Sequence, residues 1–256
     1  MTAWNAFRTD EPLGITSEIT TFEAGGGDTI HAYVARPATE GPHPGLVVIH
    51  HMPGWDEFTL EFSDRLARHG HTVIAPDLYC RFGHGTPDDV AAKARAEGGV
   101  HDDSVVADCE AALRWLQAQP GANGKVGIIG SCSGGRHALL AASRVPGFDA
   151  IADLWGGGVV PNDQVNPARP VAPLEYTAQL ETPLLGIFGN DDKNPTPPEV
   201  DIHEAALKEL GKRYEFHRYD GAGHGFFYYH TGAYRPEQAM DAWGKVFAFF
   251  ETNLNG

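Results

Sequence analysis

The chain has 256 residues, 42% of them hydrophobic and 21% charged, with a formal net charge of −15. That length supports a full hydrophobic core, and residues 1–256 are expected to form a single domain. The acid excess would repel a phosphate backbone, which argues against a nucleic-acid partner, and no apolar run approaches the roughly 18 residues that suggest a membrane span.

The opening, "MTAWNAFRTDEPLG", has no basic start followed by an apolar run, so no secretory signal is read there. Two β-rich runs follow, "SEITTFEA" and "IHAYVARP", separated by a hairpin turn at Gly25-Gly26-Gly27-Asp28. "GLVVIHH" (45–51) is a continuous apolar run of the kind buried on both faces of a sheet. Residues 57–69 carry Phe58, Phe62 and Leu66 at helical spacing, with Gly70 as a stop. "HTVIAPDLY" (71–79) reads as a strand, 80–101 as a long loop, and 102–119 as a helix with Val105, Val106, Cys109, Leu113 and Leu116 on one face. "KVGIIG" (125–130) is a strand and 134–144 a helix; "AIADLWGG" (150–157) is a strand followed by a long loop (156–178) that is Pro-rich over 159–175. "PLLGIFG" (183–189), a helix over 198–211, "RYEFHRYDG" (213–221) and a helix over 236–254 complete the pattern. The β-α alternation predicts an α/β fold with a mostly parallel sheet and helices on both faces. Three cysteines, Cys80, Cys109 and Cys132, lack CxxC spacing and are expected to be free thiols in a reducing, cytoplasmic compartment, with Cys80 and Cys109 as buried spectators.

The most informative stretch is "GIIGSCSGGRH" (127–137), between a strand and a helix. It lacks the GxGxxG spacing of a dinucleotide turn and the Lys-Ser/Thr of a P-loop. A phosphatase-type cysteine loop is also excluded, because Arg136 comes too early and position 138 is Ala. What remains is a nucleophile elbow, G-x-S-x-G with Cys in place of Ser: Gly130-Ser131-Cys132-Ser133-Gly134. Such a turn holds its nucleophile in a strained conformation, needs small residues two positions either side, and aims the next backbone N–H, that of Ser133, at the reacting atom. The acid and the histidine should follow in that order at strand ends. "GIFGNDDKNP" offers Asp191 or Asp192 as the acid, and "YDGAGHGFF" places His224 in a glycine-flanked loop before the last helix.

These residues resemble the dienelactone hydrolase family, a cysteine-nucleophile branch of the α/β-hydrolases. The segments that carry the resemblance are "PDLYCR" (76–81), "GSCSGG" (130–135), "GNDD" (189–192) and "GAGHGF" (221–226), and it spans roughly 17–252. It implies an α/β-hydrolase fold with a central sheet of about seven to eight strands. It also implies Cys132 as nucleophile, His224 as base, and Asp192, three residues after Gly189, as the triad acid. Met52 joins Ser133 as an oxyanion donor, and Arg81 matches an arginine that helps bind the substrate carboxylate. Two positions depart from the family's pattern: His51 stands where a glutamate activates the thiol, and Tyr228 where a second arginine binds substrate. Both are carried forward as candidate substrate-binding residues, with a second thiol partner in place of the glutamate, or simple packing at the strand end, as the alternatives for His51.

The expected chemistry is hydrolysis of a small-molecule lactone or carboxylic ester through an acyl-cysteine intermediate, with no cofactor and no metal; oligomeric state is left open. An esterase of the same family acting on a less acidic substrate is the nearest alternative. A metal enzyme is a weaker one: neighbouring His50 and His51 would point to opposite faces of a strand, and no HExxH is present. A non-catalytic binder is disfavoured because all three triad positions are filled. Trp55, Phe82, Phe226, Phe227 and Tyr228 are candidates for either pocket wall or core.

Overall fold

Among the described residues, 14–161 and 165–255, the computed structural model forms one eight-stranded sheet. Most of the opening segment read above, residues 1–13, lies outside this description, as do 162–164 of the Pro-rich loop. In chain order the elements are β1 (Ile15–Glu23), β2 (Thr29–Pro37), β3 (His43–Ile49), α1 (Glu57–Arg68), β4 (Thr72–Pro76), α2 (Pro87–Ala96), α3 (Asp102–Gln117), β5 (Ala122–Ser131), α4 (Ser133–Arg144), β6 (Ala150–Leu154), β7 (Leu184–Gly189), α5 (Pro197–Glu209), β8 (Tyr214–Tyr219) and α6 (Pro236–Leu254). The spatial order is β1-β2-β4-β3-β5-β6-β7-β8. β1 and β2 form an antiparallel hairpin, and β2 meets β4 antiparallel. Every pair from β4 onward is parallel.

Period-two alternation divides the core. On β3, Val47 and Ile49 pack toward α2, α3 and α4, whereas Leu46 and Val48 pack toward α1 and α6. This is why "GLVVI" is apolar throughout: each residue faces a helical layer, on one side or the other. Gly127 on β5 makes room for that packing, since a Cβ there would come within 2.8 Å of Leu46 Cδ2 and 3.0 Å of Phe250.

Four expectations change. The long loop 80–101 contains α2, capped by Thr86, whose hydroxyl accepts from Asp89 N, and opened by Pro87. Its buried residues are only Val90, Ala91 and Ala94, an apolar stripe too slight to register as a helical period. β4 stops at Pro76, because Asp77 turns the chain by accepting from Tyr79 N and Cys80 starts a single 3-10 turn. The loop of 156–178 ends in another 3-10 turn, Pro173–Gln179. Cys80 is only half-buried, whereas Cys109 is fully buried, and all three cysteines are free.

Candidate active site

β5 ends at Ser131 and α4 begins at Ser133, so a single residue turns the chain. That residue, Cys132, has φ 57° and ψ −125°, in the left-handed half of conformational space that costs a side-chain-bearing residue free energy. The turn is closed by backbone packing. A Cβ on Gly130 would lie 2.2 Å from Gly134 O, and one on Gly134 would lie 2.3 Å from Ile49 O. Both glycines are therefore required by the approach of neighbouring backbone. The Cys132 N–H donates to Leu154 O at the end of β6 (2.9 Å), which fixes the elbow to the sheet.

Cys132 meets three groups. His224, in the loop after β8, hydrogen-bonds the thiol, and the backbone N–H groups of Ser133 and Met52 also point to it. Burial works against the thiolate, but the hydrogen bond and charge of His224 and the two N–H groups outweigh it, so the thiol is held below its ordinary value. The other two thiols behave oppositely: burial pushes Cys80 up to about 11 and raises Cys109 well above the thiol range. On His224, burial disfavours the imidazolium, yet the Asp192 and Cys132 hydrogen bonds and charges overcome it and raise the ring to about 10. His224 Nδ1 lies 3.0 Å and 3.2 Å from the two Asp192 oxygens. The Asp192 side chain is 1% exposed and that of His224 36%, so the acid is enclosed while the imidazole remains reachable from solvent. Asp192 Oδ1 also accepts from Asn194 N (2.9 Å), which holds the carboxylate in place. Asp191 is exposed, and its backbone N–H donates to Ala222 O.

The loop after β3 is held from both sides. His50, buried, accepts from Leu78 N at Nε2 (3.2 Å) and directs Nδ1 at His51 O (2.9 Å). Gly54 N donates to His51 O, and Tyr79 OH donates to Met52 O (3.0 Å). The Met52 side chain is exposed while its N–H faces the sulfur.

His51 and Tyr228, the two positions that depart from the family's pattern, are joined to each other. His51 Nδ1 lies 3.0 Å from Tyr228 OH and Nε2 lies 2.8 Å from Asp56 Oδ2. Asp56 is also the N-cap of α1, accepting from Thr59 N. Burial alone would raise the Asp56 carboxyl; the His51 and Thr59 bonds hold it below its usual range instead. Tyr228 OH reaches Ser131 Oγ (3.3 Å), next to the elbow cysteine, and burial keeps the phenol protonated above its ordinary value.

Arg81 is engaged elsewhere. Its Nη1 and Nη2 donate to the two oxygens of buried Asp108 on α3 (2.8 Å each), and its Nε donates to Asp28 in the hairpin turn (2.7 Å). None of these bonds reaches a residue of the Cys132 cluster, so the expected substrate arginine serves to tie loop, hairpin and helix together. Phe226 and Phe227 are core residues, packed on Trp155, while Trp55 is half-buried and donates to Ala75 O. His50 and His51 have separate partners, and no group of three or more potential metal ligands occurs among the described residues.

Known proteins resemble this chain over most of its length. The model of the dienelactone hydrolase family matches residues 30–254. A Synechocystis sp. protein named "Putative carboxymethylenebutenolidase" is 32% identical over 231 residues, covering 88% of this chain and 92% of its own length. A Bradyrhizobium protein named "Probable 2-oxo-3-(5-oxofuran-2-ylidene)propanoate lactonase" is 29% identical over 239 residues, covering 90% and 92%. A crystal structure described as a "Putative Dienelactone Hydrolase" from Klebsiella pneumoniae subsp. pneumoniae MGH 78578 superposes with a TM-score of 0.84 at 28% identity, over 93% of this chain and 98% of that one. With an elbow cysteine on an eight-stranded α/β-hydrolase sheet and a family match over most of its length, this chain belongs to the dienelactone hydrolase family.

Proposed function

We propose that the protein hydrolyses a lactone or carboxylic ester of a small molecule through an acyl-cysteine intermediate on Cys132. The observation that carries this reading is the convergence of His224 and of the Ser133 and Met52 N–H groups on one sulfur, with Asp192 behind the histidine. The names of two relatives, a butenolide hydrolase and a lactonase, point to the same bond type.

In this mechanism the resting pair is thiolate and imidazolium. The thiolate attacks the acyl carbon, and the oxyanion that forms takes the two backbone N–H groups that faced the sulfur. His224 gives its proton to the departing alkoxide; in a lactone that alkoxide stays attached to the acyl group. Acylation removes the negative sulfur, and with it part of what raised His224. The imidazole is then neutral enough to take a proton from water, which attacks the thioester and releases the thiolate. Asp192 holds the ring with Nε2 toward the sulfur throughout. His51 and Tyr228 form a hydrogen-bonded wall beside the elbow for the substrate's polar groups.

Hydrolysis of a panel comprising a dienelactone, simple lactones and p-nitrophenyl acetate tests the reading. Ring-opened or deacylated product from at least one member is expected; no turnover together with no acylation of the protein would sink it. The pH profile is a further prediction. The thiol is lowered, so thiolate is retained on the acid side of the ordinary thiol value of about 8.5. The histidine is raised, so its proton is retained until pH nears about 10. kcat/KM should therefore hold a plateau that begins below the ordinary thiol value and falls on the alkaline side. A single limb rising at about 8.5 would contradict the ion pair.

A further inference from the structure

Asn166, in the loop between β6 and β7, holds that loop against the connection between α2 and α3. Its Oδ1 accepts from Ala168 N (2.8 Å) and Arg169 N (3.1 Å), and its Nδ2 donates to Gly98 O (3.3 Å). Asp102 N donates to Ala168 O (2.9 Å). The backbone of Arg169 is thus fixed, and its guanidinium lies directly over Gly99. A Cβ at that position would stand 2.1 Å from Arg169 Nη2, and Gly99 has φ +97°. Only glycine leaves the guanidinium its place.

An arginine side chain carries five N–H donors and a permanent charge. Among the described residues, no acceptor is hydrogen-bonded to this guanidinium and no carboxylate pairs with it, and its Nε is closed off from solvent without a partner. The neighbouring Arg136 has taken the local carboxylate: its Nη1 and Nη2 donate to Asp102 at 2.7 and 3.0 Å. Two arginines share one acid, and one positive charge is left unmatched. Burial and the charge of Arg136 both press the Arg169 guanidinium toward losing its proton, as expected of a cation held without a counter-ion.

The same guanidinium lies within electrostatic reach of the Cys132 sulfur and of Tyr79. Tyr79 in turn binds Met52 O, on the loop whose N–H faces that sulfur. Arg169 thus acts electrostatically on the thiol and on the tyrosine that holds the Met52 loop. Arg81, by contrast, has its donors occupied by Asp108 and Asp28.

We propose that Arg169 is a specificity residue of the Cys132 site, its unpaired guanidinium receiving a carboxylate carried by the ester or lactone substrate. This rests on the reading of Cys132 as the nucleophile. One unmatched charge and a planar fork suit a monoanionic carboxylate, bound through charge-assisted hydrogen bonds, better than a phosphate dianion.

The test compares alkylation rates at Cys132, followed by peptide mass spectrometry, for iodoacetate and its neutral counterpart iodoacetamide. In both reactions the thiolate displaces iodide, forming S–C and breaking C–I; the probes differ in the carboxylate. The wild-type protein should favour iodoacetate. Arg169→Gln should lower the iodoacetate-to-iodoacetamide ratio about tenfold or more, the worth of a charge-assisted hydrogen bond, and Arg169→Lys should restore part of it. The His224 imidazolium also attracts the anion, but it is present in all three proteins and cancels in the comparison. The iodoacetamide rate reports any general disturbance of the site. A ratio unchanged in Arg169→Gln overturns the inference and leaves the Cys132 reading standing. A wild-type Cys132 no more reactive toward iodoacetamide than Cys80 overturns that reading and the inference with it.

Discussion

Cys132→Ala should remove at least about 10⁴-fold of kcat while the protein stays folded. No other thiol can replace it: Cys109 is fully buried, and both Cys109 and Cys80 are pushed upward by burial. The adjacent hydroxyls are poor substitutes. Ser131 Oγ is engaged with Tyr228 OH, and Ser133 starts α4, contributing its backbone N–H to the thiol. Stability should be unchanged or slightly higher, because the variant removes a half-buried ionisable group from a strained turn. Activity toward a lactone or p-nitrophenyl acetate within tenfold of wild type would exclude Cys132 as nucleophile. The same loss accompanied by an early melting transition would mean that the elbow, rather than the sulfur, had been damaged.

Asp102→Ala should destabilise the protein by about 3–5 kcal/mol, the usual consequence of leaving one partner of a buried ion pair uncompensated. Arg136 and Asp102 have side chains only 3% and 5% exposed and are bonded through both nitrogens and both oxygens. The pair links the first residue of α3 to α4 four positions after the elbow, so it also fixes the helix whose N-terminus faces the thiol. Against a typical total of about 5–15 kcal/mol, the loss is a large fraction. Denaturant unfolding measures it directly. The double variant Asp102→Leu/Arg136→Met, which removes both charges, should recover much of it. A loss under about 1 kcal/mol in the single variant would mean that water or a neighbouring group compensates Arg136. Exposed pairs such as Arg144–Asp103, with Asp103 88% exposed, should contribute little by comparison.

Local signals made much of this architecture legible. β3 and β5 were evident because strands buried on both faces must be apolar throughout, and the elbow because its glycines are dictated by backbone contacts within a few residues. Asp192 was separable from Asp191 only through the family's G-x-x-D spacing; the structure pairs it with His224 because the chain turns at Asn190 and Asp191 and carries the second aspartate inward. α2 was missed because a helix that buries one valine and two alanines leaves almost no period to detect. The remaining features are long-range. Arg81 is taken by Asp108, 27 positions away, and His51 by Tyr228, 177 positions away. Arg169 sits in no motif, and what distinguishes it is the glycine beneath it and the acid that Arg136 has already claimed. Such pairings depend on where the sheet order brings separate loops, which no local spacing encodes.

The most direct measurement is the mass of the protein acid-quenched during turnover of p-nitrophenyl acetate, followed by peptide mapping. A single acetyl group on the peptide containing Cys132, cleaved by hydroxylamine as a thioester and absent in Cys132→Ala, is the expected result. An acetyl group on Ser131 or Ser133 instead, or steady turnover with no covalent species in wild type while Cys132→Ala remains active, would contradict nucleophilic catalysis by this cysteine.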